Sequence, residues 1–447
     1  MAIFGQNTSK RRLFSAESST SFYQNSSRNQ KIKYSALAAC MNSFLMGFHF
    51  NMTPSTLVNF KNKISASGLS YAANIIFLGA ILGCFIPSLL RYNLKTHIIV
   101  SLIFFTVGQT ILTVVFSLIQ KNHIPFIIAG QFFIGLGMGN TCTTVPQYLF
   151  HLATYGRKGM FGFLFYIAFI KGLSLAKFLD LYLQENWIPL VSNIIIITHV
   201  LLILAYIPIL NVKNIRLKAI EGILHLFRLK EAKRSITLAI LLQTAQQIAG
   251  FTIYKNLLQN IDNIQKPSGT VPDKNSTADQ LHKCLIDFSK NILENVTFLS
   301  SRISIMLIYL IALFFGFLGM FSVEKLGRKR LILLSVLLCN ITIIFLMFKK
   351  ALFLSYVSYV AVFAFGLGPI SWLILPEIFP DEYQTAGMII SGLTSVIISC
   401  ILSLIFPLVA EQMLKNIFAI TGMCLSVIFF TIIFFMADTA GNISRFQ

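Results

Sequence analysis

Apolar residues fall in long runs near 36–57, 71–91, 97–120, 125–150, 159–180 and 188–211, and again near 235–258, 299–321, 330–350, 352–377, 387–411 and 416–437. Each run is about 20 residues or longer, the length an α-helix needs to cross a hydrocarbon layer about 30 Å thick. The pattern predicts an all-α membrane protein with twelve transmembrane helices in two six-helix halves, 36–211 and 235–437. Polar segments divide the runs. Residues 1–35 read as a disordered tail, 212–234 as a basic connector, 259–298 as a long loop and 438–447 as a short tail.

Charge orients this arrangement. Basic residues gather at Lys10, Arg11, Arg12, Lys31 and Lys33, at Arg91 and Lys95, at Arg157 and Lys158, through the connector, and over Lys325 to Arg330. Alternating helices put all of these on one side, which the positive-inside rule makes the cytoplasm, with both termini inside. The loop 259–298 then lies outside, and its Asn275-Ser-Thr and Asn295-Val-Thr triplets are candidate glycan acceptors.

Composition agrees: 55% hydrophobic residues, 12% charged residues and a mean hydropathy of +0.74 exclude a soluble domain. A formal charge of +20 would suit nucleic acid, yet the basic residues sit in short segments between apolar runs, with no folded polar surface to carry them. The expected partner is the lipid bilayer, not nucleic acid. Six of the seven cysteines lie in or beside apolar runs, which is no disulfide framework, and the first 30 residues lack the apolar core of a cleaved signal peptide. Nucleophile triads, metal-ligand spacings and phosphate loops are missing, so the expectation is a non-enzyme with no cofactor, no metal and no obligate protein partner.

Two stretches carry chemistry. From Phe365 to Pro380 the tenth run contains Gly366, Gly368 and Pro369, which relax the backbone and remove a donor, and so predict a broken helix. At membrane depth such a break survives only where protein or a watery cavity satisfies the freed groups. Trp372, one turn later, offers a flat face with one N–H, as a ligand wall would; a kinked structural helix is the plain alternative. Glu377 closes the run and calls for a basic partner. In the seventh run Gln243, Gln246 and Gln247 share one face by i, i+3, i+4 spacing. Amides both donate and accept, which suits hydroxyl groups, although glue between helices is the alternative.

Gln246-Gln247 with Gly250, the loop Glu324-Lys-Leu-Gly327-Arg328-Lys329, the segment Gly368-Pro369-Ile370-Ser-Trp372 followed by Pro376-Glu377-Ile378-Phe379, and Gly130 through Tyr148 with Val145-Pro146 occur in order. Together they make the chain resemble, from about Gly47 to Gly441, the facilitative glucose transporters of the major facilitator superfamily. The resemblance implies plasma-membrane uniport of a hexose or related small polar solute. It places sugar contacts on Gln246, Gln247 and Trp372, with Gln243, Thr252 and Tyr166 at further binding positions. Gating falls to Gly368 and Pro369 at the break, and to Glu324, Arg328, Lys329, Glu377 and Lys158 at the helix ends.

The departures are as informative. Tyr166 stands where the family has a sugar-binding Gln, Thr252 and Ala312 where it has Asn, and Ala364 and Ser395 replace further polar positions. Asn256 and Leu257 replace an outer tyrosine pair, and the Gln-Leu-Ser signature associated with glucose reads Gln243-Thr244-Ala245. In the N-terminal half Asn93, Leu94 and Lys95 replace Gly-Arg-Arg, Gln131 replaces Arg and His151 replaces Glu. The N-terminal ionic clamp is therefore lost, which predicts a resting state open to the cytoplasm. No Asp or Glu lies well inside the first five runs, which favours uniport over proton symport, and His49, His199 and Lys171 read as structural. A transport-impaired sugar sensor, or a carrier of urate or dehydroascorbate, is the alternative.

Overall fold

The computed structural model describes residues 30–52, 66–90, 93–118, 124–154, 156–182, 188–206, 220–229, 232–251, 301–347 and 352–436. Thr252, Asn275, Asn295, the loop 259–298 and the two tails 1–29 and 438–447 lie outside them. The regular elements are helices: α1 (30–52), α2 (Ala66–Leu89), α3 (Leu94–Leu118), α4 (Ile124–Leu152), α5 (Lys158–Tyr182) and α6 (Ile188–Tyr206) in the first half. A short amphipathic helix, α7 (Ile220–Arg228), falls in the basic connector. The second half holds α8 (Ala232–Gln246, continued by a π-helical turn Gln247–Phe251), α9 (Ser301–Leu326), α10 (Arg328–Met347), α11 (Leu352–Phe365), α12 (Leu367–Leu373), α13 (Leu375–Ile378) and α14 (Gln384–Phe435). Hydrocarbon offers no partner to backbone N–H and C=O groups, so helices, which satisfy their own, are what these apolar runs must form.

α14 runs for 52 residues where two spans were expected. Straight, it would be about 78 Å long at 1.5 Å per residue, far beyond a bilayer. Its two ends nevertheless lie at the same end of the bundle. Gln384 donates to the Pro376 carbonyl, Ile433 O accepts from Lys329 Nζ at 3.0 Å, and the neighbours of those partners, Glu377 and Arg328, are themselves paired. The element is therefore two antiparallel limbs, and the twelve-span architecture holds.

Within each half, side-chain amides bind one helix to the next. Asn42 Nδ2 donates to Ile98 O at 2.7 Å, and Asn140 Nδ2 to His97 O and Ser101 Oγ, both at 2.9 Å, so α3 is held to α1 and α4. Such bonds matter where burial against lipid tails gives helices no hydrophobic reason to associate. The halves meet through α2 and α4 against α14, and through α5 against α9 and α12. His49 stacks on Phe105, while His199 stacks on Phe44 and bonds the Ile195 carbonyl, the structural roles expected of them. Lys171 is exposed, with Nζ 5.5 Å from the Phe317 ring centre.

Candidate functional site

The break predicted at Pro369 is present, and one hydroxyl repairs it. α11 stops at Phe365, Gly366 takes φ −141° and ψ −70°, and α12 starts at Leu367. Ser335 of α10 accepts from the Leu367 N–H at 2.9 Å and donates to Val362 O at 2.8 Å, satisfying a freed group on either side of the kink. The break also brings α12 against α5: a side-chain carbon at Gly368 would lie 2.7 Å from the Tyr166 ring. Glycine is what allows that approach.

Below the break, α12 and α8 are joined by the seventh-run amides. Gln243 Nε2 donates to Ser371 O at 3.2 Å and Gln246 Nε2 to Gly368 O at 2.9 Å. Gln247 turns instead to α14, donating to Ser395 Oγ at 2.6 Å and accepting from Ser399 Oγ at 2.7 Å. These three amides are buried, and Gln246 Oε1 has no hydrogen-bond partner among the described residues.

A cavity of about 80 Å³ opens beside them, between the halves. Gln246, Gln247, Ser395, Ser399 and Trp372 form its polar and aromatic wall on one side, and Met46, Phe77, Met138, Cys142 and other apolar residues form the wall opposite. Phe165 leans on Trp372 with ring centres 5.4 Å apart, fixing the indole plane. Tyr166 completes the lining. The expected site thus gathers Gln246, Gln247, Trp372 and Tyr166, whereas Gln243 lies outside the cavity and serves as glue. Ser399, absent from the sequence-based set, holds Gln247 in place.

At the basic end, where Lys325 to Arg330 lie, two clamps join the elements. The first is ionic. Gly327 has φ +83°, a left-handed turn that ends α9 and points Arg328 back at Glu324. Arg328 Nη1 lies 3.1 Å from Glu324 Oε2, and Nη2 lies 3.2 Å from Glu377 Oε1. Glu324 Oε1 also accepts from the Gly159 N–H at 2.7 Å, at the start of α5, where the helix dipole favours a carboxylate. Lys329 bonds Ile433 O, and Lys158, close enough to the network to feel the charge of Glu377, has its Nζ 3.9 Å from the Phe150 ring centre.

The second clamp is neutral and fills the place of the lost N-terminal ion pairs. Gln384 Oε1 accepts from Gln147 Nε2 at 3.1 Å and meets His151 Nε2 at 2.6 Å, while Gln147 also donates to Thr385 Oγ1 at 3.1 Å. These contacts join the halves at the basic end, where the missing charges had led to the expectation of an open resting state. At the far end Asn51 Nδ2 donates to Tyr309 Oη at 3.1 Å, again across the halves.

Comparisons with known proteins agree with this architecture. The sequence profile of the family described as Sugar (and other) transporter matches residues 17–208 and 282–443. Hexose transporter 1 of Plasmodium falciparum (isolate 3D7) is 23% identical over 476 positions, covering 91% of this chain and 90% of that protein. Solute carrier family 2, facilitated glucose transporter member 4 of Bos taurus is 25% identical over 348 positions, covering 71% of this chain and 66% of that one. Among solved structures, the proton:xylose symporter XylE bound to 6-bromo-6-deoxy-D-glucose superposes with a TM-score of 0.71 at 18% identity, covering 93% of this chain and 98% of that chain. With the profile spanning both halves and the fold shared with transporters of the major facilitator superfamily, the chain belongs to the sugar (and other) transporter family as a divergent sugar porter.

Proposed function

We propose that this protein carries a hexose or a closely related polyol down its gradient, by alternating access around the cavity between its halves. The observation that carries the reading is the wall formed by Gln246, Gln247 and Trp372, in which a buried amide oxygen of Gln246 awaits a donor such as a sugar hydroxyl. The indole face beside it suits the C–H face of a pyranose ring. Uniport is supported by the lack of Asp or Glu in the described part of α1 to α4, and by the position of Asp180, the one acidic residue of α5, two residues from that helix's end. In this reading the basic end faces the cytoplasm, both termini lie inside and the protein resides in the plasma membrane. Asn275 and Asn295 would then carry glycans outside.

Uptake of labelled hexoses into proteoliposomes tests the proposal. Gln246→Ala or Trp372→Leu is expected to weaken apparent affinity about five- to thirty-fold, the worth of a hydrogen bond or ring contact of about 1 to 2 kcal/mol. A protonophore is expected to leave wild-type uptake unchanged. Normal transport by both variants at matched protein would overturn the site, and protonophore-sensitive accumulation would overturn uniport.

A further inference from the structure

Beyond Tyr166 and Phe169, which line both, lies a second cavity of about 30 Å³ on the side toward the Asn51–Tyr309 bond. It is built from α5, α9 and α11, hence from both halves, and three tyrosines reach it: Tyr166, Tyr309 and Tyr359. Ala312 adds only a methyl group to the lining, and Gly250 lets the Phe363 ring pack close against the turn. The Tyr359 side chain is only 7% exposed, yet its hydroxyl has no hydrogen-bond partner among the described residues. A buried hydroxyl without a partner is costly, and tyrosine hydroxyls are usually satisfied when buried. Phenylalanine would fill the same position without that cost. The Tyr309 hydroxyl is meanwhile held by Asn51 across the halves, and that bond must part before the chamber can widen toward the far end.

We infer that this chamber is a second binding subsite for the hydroxyl groups of a hexose or polyol, on the path between the Trp372 cavity and the far end. A phenol hydroxyl both donates and accepts, and the tyrosine rings offer flat faces to the C–H edge of a sugar, so the same solute can be held in two ways. Polar contacts therefore persist here although Tyr166 and Ala312 stand where the resemblance expects amides. An arriving solute and Asn51 compete for the Tyr309 hydroxyl. Tyr166 divides the two subsites and must turn aside for the solute to pass. The inference rests on the proposal that the solute is a sugar.

The test uses the full chain in proteoliposomes and the best-transported sugar from a panel of D-glucose, D-fructose, D-galactose and D-xylose, together with its monodeoxy analogues. Tyr359→Phe removes one hydroxyl and little else. It is expected to raise KM about two- to tenfold with kcat preserved, and to abolish the penalty that wild type shows for one of the deoxy analogues. Ala312→Val, which fills the chamber without touching a tyrosine, is expected to raise KM in the same direction and keeps the test valid should Tyr359→Phe fold poorly. Wild-type KM and an unaltered deoxy profile in both variants, with Gln246→Ala still impaired, would reduce the chamber to packing. If Gln246→Ala is also unimpaired, the sugar reading of the main cavity falls with it.

Discussion

The two clamps at the basic end hold the same ends of the bundle by different physics. In one, Arg328 sits between Glu324 and Glu377, largely out of water, and Glu324 reaches over to the first turn of α5. In the other, the cross-half contact is made entirely by neutral groups of Gln147, His151, Gln384 and Thr385. A buried ion pair gains a large attraction only by giving up a comparable hydration energy, so its members become interdependent. Amide contacts give up less and can be broken one at a time. The ionic clamp is thus suited to keeping the C-terminal helix ends in register, and the neutral one to parting and re-forming, as the proposed alternating access would require.

That contrast can be broken at three strengths. Arg328→Ala removes the cation that Glu324 and Glu377 share and is expected to cost about 3 kcal/mol of stability, read as a clear fall in the thermal midpoint of the purified protein. An unchanged midpoint would mean that the charges are hydrated after all. Gln384→Leu removes the hub of the neutral clamp, with its bonds to Gln147, His151 and Pro376 O, at about 1 kcal/mol each. It is expected to lower the midpoint as well and, beyond that, to raise labelling of cavity-lining Cys142 from the basic end tenfold or more, with Cys142→Ser as the control for other thiols. Equal labelling from both sides would show that the clamp does not set the gate. Asn51→Ala, which loses bonds to Tyr309 and to Leu173 O, is the mildest: Cys142 labelling from the far end should rise about two- to tenfold.

Much of the fold could be read from the residues, because the bilayer imposes both the length and the polarity of each span. The site was readable in part for a similar reason. Gln243, Gln246 and Gln247 had to share a face, but a shared face says nothing of depth, and Gln243 proved to be one turn too far along α8 to line the cavity. The serines were not readable. Ser391 and Ser426 bond the carbonyl four residues back within their own helix, as hydroxyls in apolar helices commonly do, and nothing local marks Ser335 or Ser399 as different. The neutral clamp joins residues 233 apart, and a histidine in place of an acid registers in the sequence only as a charge lost.

The π-helical turn Gln247–Phe251 has a consequence for length changes in the chain. Such a turn is an α-helix with one extra residue looped into it, so the flanking segments keep their faces while the local ones are displaced. Removing a residue from an ordinary span would rotate all that follows by about 100° and turn its lipid face inward. Here a single deletion would instead let the helix close up as a regular spiral. Gln247 would then swing away from Ser395 and Ser399. A change of one residue in the length of this turn thus acts directly on the cavity wall beside Trp372.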